Sequence, residues 1–260
     1  DILNFKPDAL ILLDYAGFNL RIAKFAKSKN LKVYYYIPPK IWAWNESRAS
    51  QIKKFVDHLL VIFPFEVDFY SKKGIEAIFV GNPLLDEIEK NNYKFSLKSS
   101  KPIIALLPGS RKQEIEAVLP EMLKIVNSFT NYQFVVGATT IFSSQFYSSL
   151  IKQENVEIVF NETYGLLSNA KAALVTSGTA TLETALFGVP QIVCYKTNWL
   201  SYNIAKFLIK TEFISLVNII LQKETVKELI QTSLNESKLK KEFSVIINKN
   251  ESILEDYATL

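Results

Sequence analysis

One cysteine and one histidine in 260 residues leave little with which to build a disulfide or a zinc site. Cys194 has no internal partner, and His58 lacks the Cys/His neighbours that a tetrahedral metal site needs. A reducing compartment is expected, with no metal and no other cofactor. No window of eighteen apolar residues occurs, so no segment is expected to span a bilayer. The opening DILNFKPD has neither the basic start nor the apolar core of a signal peptide, which points to the cytosol. Excess charge is scarce too: 30 basic against 26 acidic residues gives +4, with no Lys/Arg run, and this does not argue for nucleic acid. The remainder, 48% hydrophobic and 22% charged, is globular and excludes a disordered or low-complexity chain. The chain begins at Asp1 rather than Met, shortly before a strand pattern, so a piece of something longer is expected.

What is present is an alternation. Ala9 to Leu13 (ALILL) ends in Asp14, and a helical stretch runs from Asn19 to Lys27. Leu31 to Ile37 stops at Pro38 and Pro39, which cannot donate to a sheet ladder. A helical pattern over Trp42 to Val56 leads to Leu59–Phe63, and Ala77–Val80 stops at Gly81. The polar stretch Glu87 to Lys101 then separates this series from a second. There, Ile103–Leu107, Tyr132–Val136, Val156–Phe160, Ala172–Val175 and Gln191–Tyr195 read as strands. Short apolar runs separated by helical patterns predict parallel sheets covered on both faces. The expected fold is α/β, with two Rossmann-like units over 1–90 and 101–198. Beyond Tyr195 the apolar spacing turns helical, at Leu200, Ile204, Phe207 and Leu208, then Val226, Leu229 and Ile230, then Phe243, Ile246 and Ile247. A helical tail over 199–260 is expected.

Ligands of such sheets sit beyond the carboxyl ends of the strands, so the residues there carry the chemistry. Pro108-Gly109-Ser110-Arg111 links a buried strand to a helix start. Backbone N–H groups at a glycine and a helix N-terminus suit an anion, and Arg111 can clamp a phosphate. The alternative is a tight turn with a solvated arginine, although the chain has just three arginines, Arg21, Arg48 and Arg111. Ser177-Gly178-Thr179, with Glu183 one turn on, repeats the arrangement, and a carboxylate there can accept both hydroxyls of a ribose. The other reading is a helix cap with Thr179 and Glu183 in solvent. Together the two loops suggest one nucleotide diphosphate site. Asp14 is placed to act as a general base toward a hydroxyl, or merely to cap a turn. Trp42 and Trp44 near Arg48 fit either an apolar ligand rim or a stack closing the sheet. His58 and Cys194 read as packing residues. The acidic group Asp86, Glu87 and Glu89 reads as a solvated face, and no Asp-x-Asp pair occurs that would bind a metal–diphosphate complex.

The stretches LLDYAGFN, YYIPPKIWAWNESR, FPFEVDFY, VGNPLLDEI, LLPGSRKQEIE, VTSGTATLETALFGVPQIVCYK and KFLIKTEFISLVNIIL resemble, in this order, the lipid-A-disaccharide synthases. These are inverting glycosyltransferases of the two-domain B-type fold that serve lipid A and lipopolysaccharide biosynthesis. The resemblance implies transfer of 2,3-diacylglucosamine from its UDP derivative to 2,3-diacylglucosamine 1-phosphate, forming a β-1,6 disaccharide and UDP. It implies a catalytic role for Asp14 and for Arg111. It also implies a nucleotide site of Gly109, Ser110, Arg111, Ser177, Gly178, Thr179, Glu183 and Asn218. Residues 1–90 would be the remainder of the acceptor and membrane-side unit, incomplete because the family carries a strand and glycine-rich loop ahead of this part. Residues 101–198 would hold the nucleotide sugar, and 199–260 would be a tail exchanged within a homodimer. The enzyme would be peripheral on the cytoplasmic face of the inner membrane, with Trp42, Trp44, Lys53 and Lys54 touching lipid. Where many members carry a histidine, this chain has Gly81-Asn82-Pro83. Two other functions fit the same loops: a soluble UDP-sugar transferase or epimerase, and a non-catalytic UDP-binding module.

Overall fold

The computed structural model describes residues 2–43, 45–90, 93–198 and 212–260. The chain divides into two compact units at Asp86/Glu87, and Glu212–Leu260 belongs to the second.

In the first unit a short helix α1 (Ile2–Phe5) precedes β1 (Ala9–Leu13), α2 (Ala16–Ser28), β2 (Lys32–Tyr36), α3 (Ala49–Phe55), β3 (His58–Val61), α4 (Pro64–Ser71) and β4 (Ala77–Phe79), and the division falls within the next helix, α5 (Pro83–Lys90). The four strands are parallel in the order β1-β2-β3-β4. Helix α2 buries Leu20, Ala23 and Ala26, a three-residue spacing that keeps one face on the sheet. They pack with Leu12, Val33, Tyr35, Leu59 and Val61 from the strands and Tyr70 from α4. β1 is an edge, and Ile11 and Leu13 on one of its faces are 70% and 57% exposed. The helical reading of Trp42 to Val56 holds for its second half. A 3-10 turn over Glu46–Arg48 precedes α3, because Asn45 takes a left-handed conformation (φ 55°) and regular helix begins only after it. His58 stacks on Tyr34, centroids 4.5 Å apart.

The second unit runs β5 (Ile103–Leu107), α6 (Lys112–Leu123), β6 (Gln133–Ala138), α7 (Ser144–Leu150), β7 (Val156–Phe160), α8 (Thr163–Asn169), β8 (Ala170–Thr176), α9 (Thr179–Leu186) and β9 (Gln191–Tyr195). It ends with α10 (Leu216–Leu221), β10 (Lys227–Ile230), α11 (Glu236–Asn248) and α12 (Glu251–Tyr257). Its six parallel strands lie in the order β10-β9-β8-β5-β6-β7. All five residues of β5 are buried. Ile104 and Leu106 face one core with Val118, Leu119 and Phe243, and Ile103, Ala105 and Leu107 face another with Leu166 and Val175. A strand covered on both faces must be apolar throughout, which is why IIALL has no alternation. Each buried Ile or Leu contributes roughly 1.5–3 kcal/mol.

The tail differs from the helical expectation in one segment. Lys227–Ile230 is a strand, paired with β9 from Lys227↔Ile192 to Ile230↔Tyr195. Four residues are too few for periodicity to separate helix from strand, and the free edge of β9 decides. Leu229, Phe243 and Ile246 are buried in this unit's own core, and Val226 in a smaller cluster with Val193 and Tyr257. Cys194 is buried, and burial pushes its thiol up, with the Glu121 charge adding to the shift. Trp44, Trp199, Leu200, Ile204, Phe207 and Leu208 lie outside the described residues.

Candidate active site

The second sheet reverses direction between β5 and β8. From β5 the chain moves outward through β6 and β7, and from β8 it moves the other way through β9 and β10. A crevice opens at such a reversal, beyond the carboxyl ends of the two strands. β5 pairs with β8 to its own last residue, Leu107↔Val175, one residue before the end of β8, so the PGSR and SGT loops leave the sheet side by side. Gly109 shows how close they are. A Cβ there would sit 3.0 Å from Thr176 Cγ2 and 2.9 Å from Glu114 Oε2, and the backbone is already at φ 106°, a region that glycine alone enters freely.

The N-cap of α6 is Arg111 and that of α9 is Gly178 (φ 147°), and neither helix start has a side-chain cap. The first backbone N–H groups of both helices thus face the crevice end of the sheet without an intrahelical acceptor. Ser110, Arg111, Gly178 and Thr179 are exposed there. The Arg111 side chain is 81% exposed and its Nη1 donates to Glu114 Oε1 at 2.7 Å. Glu114 escapes a reading that stops at the loop, although its three-residue spacing from Arg111 is a recognisable helix pair.

Glu183 lies half-buried on α9, and desolvation holds its carboxyl above the ordinary range against a hydrogen bond from Thr179. Its charge reaches Tyr164, whose phenol is pushed up to about 12, first by burial and then by Glu183. Tyr164 is one wall of a groove of about 490 Å³ shared with Tyr93, Lys94, Asn161, Glu162, Thr163 and Gly165. Ring contacts with Tyr93 (5.0 Å) and Phe187 (5.3 Å) hold it in place.

Ser177 and Asn218 belong to one strut. Ser177 Oγ donates to the Ile214 carbonyl at 2.9 Å. The Ile214 and Ser215 N–H groups donate to the Glu228 carboxylate at 3.0 and 2.9 Å, and Asn218 Nδ2 adds a third bond at 2.9 Å. Asn218 Nδ2 also donates to the Val226 carbonyl, and its Oδ1 accepts from the Thr225 and Val226 N–H groups. The buried amide is thereby saturated by protein. Thr181 completes the connection, its hydroxyl donating to Gly178 O and accepting from Leu216 N. Nothing local in the sequence marks Glu228 as the hub.

In the first unit, Asp14 stands exposed beyond β1 at φ 47°, followed by Tyr15 at φ 40°. Two left-handed residues in succession are uncommon away from glycine. They are held by Asn19 Nδ2, which donates to the carbonyls of Leu13 (2.8 Å) and Asp14 (2.7 Å), and by the Tyr35 hydroxyl, which donates to Asp14 O at 2.7 Å. The fixed backbone leaves the Asp14 side chain at the open end of the sheet. Trp42 is half-buried, its Nε1 donating to Glu66 Oε1 at 3.0 Å and its ring edge-on to Phe65.

Among the described residues no group of three His, Cys, Asp or Glu is arranged to hold a metal ion. A family profile described as lipid-A-disaccharide synthetase matches residues 1–258. The chain is 40% identical over 257 residues to the lipid-A-disaccharide synthase of Syntrophus aciditrophicus, covering 94% of this chain and 67% of that protein. It is 38% identical over 242 residues to that of Trichlorobacter lovleyi, covering 88% and 63%. The chain therefore spans about two thirds of the length of these relatives. In fold it is similar to the UDP-GlcNAc 2-epimerase of Neisseria meningitidis bound to UDP-GlcNAc (TM-score 0.64, 12% identity, 98% of this chain and 72% of that one). It is likewise similar to the glycotransferase of kitacinnamycin (TM-score 0.63, 14% identity, 99% and 72%). With 36–40% identity to several synthases and a profile match running nearly end to end, the chain belongs to the lipid-A-disaccharide synthase family of glycosyltransferases.

Proposed function

We propose that this protein transfers 2,3-diacylglucosamine from its UDP derivative to the 6-hydroxyl of 2,3-diacylglucosamine 1-phosphate, giving the β-1,6 disaccharide of lipid A and UDP. The observation that carries this reading is the pairing of β5 with β8 up to Leu107↔Val175. It sets two glycine-bearing strand-to-helix corners next to each other at the reversal of the sheet. Gly109, Ser110 and Arg111 on one corner and Gly178 and Thr179 on the other take the diphosphate. Glu183 takes the ribose hydroxyls, and the groove walled by Tyr164 has the flat aromatic surface that suits the base. Ser177 and Asn218 act by holding the second corner against the tail.

The reaction is a displacement at the anomeric carbon. The acceptor oxygen forms the new bond on the face opposite the diphosphate, the bond from that carbon to the phosphate oxygen breaks, and the hydroxyl proton passes to Asp14 as general base. Charge building on the departing UDP is met by Arg111 and by the first-turn N–H groups of α6 and α9. No metal is required for this compensation.

Acylated substrates bring the enzyme to the cytoplasmic face of the inner membrane as a peripheral protein. Supporting this, Lys53 and Lys54 are exposed for contact with anionic headgroups. Trp42, engaged with Glu66, is a less suitable lipid anchor than these lysines. The family resemblance supports a homodimer. The test is product analysis with acylated and deacylated UDP-glucosamine donors, in the presence of vesicles. Disaccharide and UDP from the acylated donor are expected. Equal turnover of both donors would count against the lipid substrate, and UDP binding without transfer would favour a binding module.

A further inference from the structure

Lys40 follows the two prolines that end β2. It is half-buried between buried Pro39 and Ile41, and its Nζ lies 5.9 Å from the centroid of the Phe63 ring. Desolvation lowers its pKa, and the fields of Glu66 and then Asp14 partly restore it. No carboxylate among the described residues forms an ion pair with Nζ. Glu66, 2% exposed, is committed elsewhere: Oε1 accepts from Trp42 Nε1 and Oε2 from the Phe63 N–H at 3.1 Å. An ammonium already stripped of part of its water, with no ion-paired anion, gains more from an incoming phosphate than a solvated lysine does.

The position has chemical sense as well. Lys40 and Asp14 lie beyond the carboxyl ends of adjacent parallel strands, where ligands of such sheets bind. The acceptor in the reaction above carries one hydroxyl that must lose a proton and one phosphate monoester. A carboxylate beside an ammonium matches that pair of groups. We propose that Lys40 binds the anionic phosphate of the acceptor while Asp14 faces its hydroxyl, an inference that rests on the transferase reading. Lysine suits the task as a point charge that needs no bidentate geometry.

The test compares two acceptors, diacylglucosamine 1-phosphate and the same sugar without its phosphate, with wild type, Lys40→Gln and Lys40→Arg in the full chain. Lys40→Gln is expected to raise the acceptor KM about ten- to a hundred-fold for the phosphorylated sugar. It should leave the unphosphorylated sugar and the donor KM unchanged, and Lys40→Arg should restore most of the loss. A KM change shared by both acceptors, or a change confined to the pH profile of kcat, would overturn the assignment. Binding is read without turnover by titrating glucosamine 1-phosphate and N-acetylglucosamine into the isotope-labelled full chain. The Lys40 side-chain resonance should move with the phosphate-bearing sugar alone, and its failure to move would also overturn the proposal. If that resonance moves in a chain that transfers no sugar, Lys40 keeps its phosphate and the transferase reading fails.

Discussion

In the proposed reaction the chemistry at the residue scale falls to Arg111 and Asp14, and each is tied to its neighbours by hydrogen bonds. The Arg111–Glu114 pair is solvent-facing on the arginine side, and such pairs contribute only about 0.2–1 kcal/mol. A diphosphate can take over the guanidinium at small cost. Arg111→Ala is expected to weaken UDP binding by about 1.5–3 kcal/mol, the range for a hydrogen bond to a charged group. Calorimetry that finds the affinity unchanged would remove Arg111 from the site. Asp14→Asn should lower kcat of the complete enzyme and leave UDP affinity as it was. Asparagine tolerates the left-handed backbone at this position, φ 47°, so the substitution tests the proton and not the fold. Undiminished turnover would exclude Asp14 as the base. The sequence singles out both positions by their place at strand ends, Asp14 directly after ALILL and Arg111 in the PGSR turn after IIALL. Glu114 is less legible there, since its role depends on reaching back over Gly109.

Among the elements, the tail loop before α10 is what fixes the corner between β8 and α9. Glu228 gathers the Ile214 and Ser215 N–H groups and the Asn218 amide, 10 to 14 positions away along the chain. Glu228→Ala would leave these donors unpaired, each partly buried. A stability loss of about 1–3 kcal/mol is expected, read as a lower denaturant midpoint at constant slope. UDP affinity should fall with it, because Ser177 leans on the Ile214 carbonyl. A midpoint equal to wild type would mean that the strut is dispensable. Helix α9 and its loop were readable from TSGTATLE, whereas β10 was not. A four-residue strand acquires its identity from the β9 edge it joins, and that edge is more than thirty residues away in sequence.

For the molecule as a whole, acid should find the second unit through Glu121. Burial pushes this carboxyl up, but the Lys124 and Lys196 ammoniums, at 2.6 Å each, pull it below the ordinary range. A carboxyl depressed in the folded state adds stability above its unfolded pKa and loses it as pH falls through the folded value. The stability gap between wild type and Glu121→Gln should therefore be full at neutral pH and close below about pH 4, as followed by thermal unfolding across pH. A gap independent of pH would show that the lysines do not act through charge. The sequence by itself determined every strand of the described residues except β10, the residues at the strand ends and the family. A parallel strand covered on both faces has to be a continuous apolar run, and a polar or turn-forming residue marks where it stops. Only the tertiary structure decided that β5 and β8 are neighbours, that Trp42 turns to Glu66, that Asn218 is spent on protein and that the strands preceding Asp14 and Lys40 are paired. Pairing between segments far apart in the chain leaves no local pattern, because the hydrogen bonds and buried area that reward it exist only once the sheet has formed.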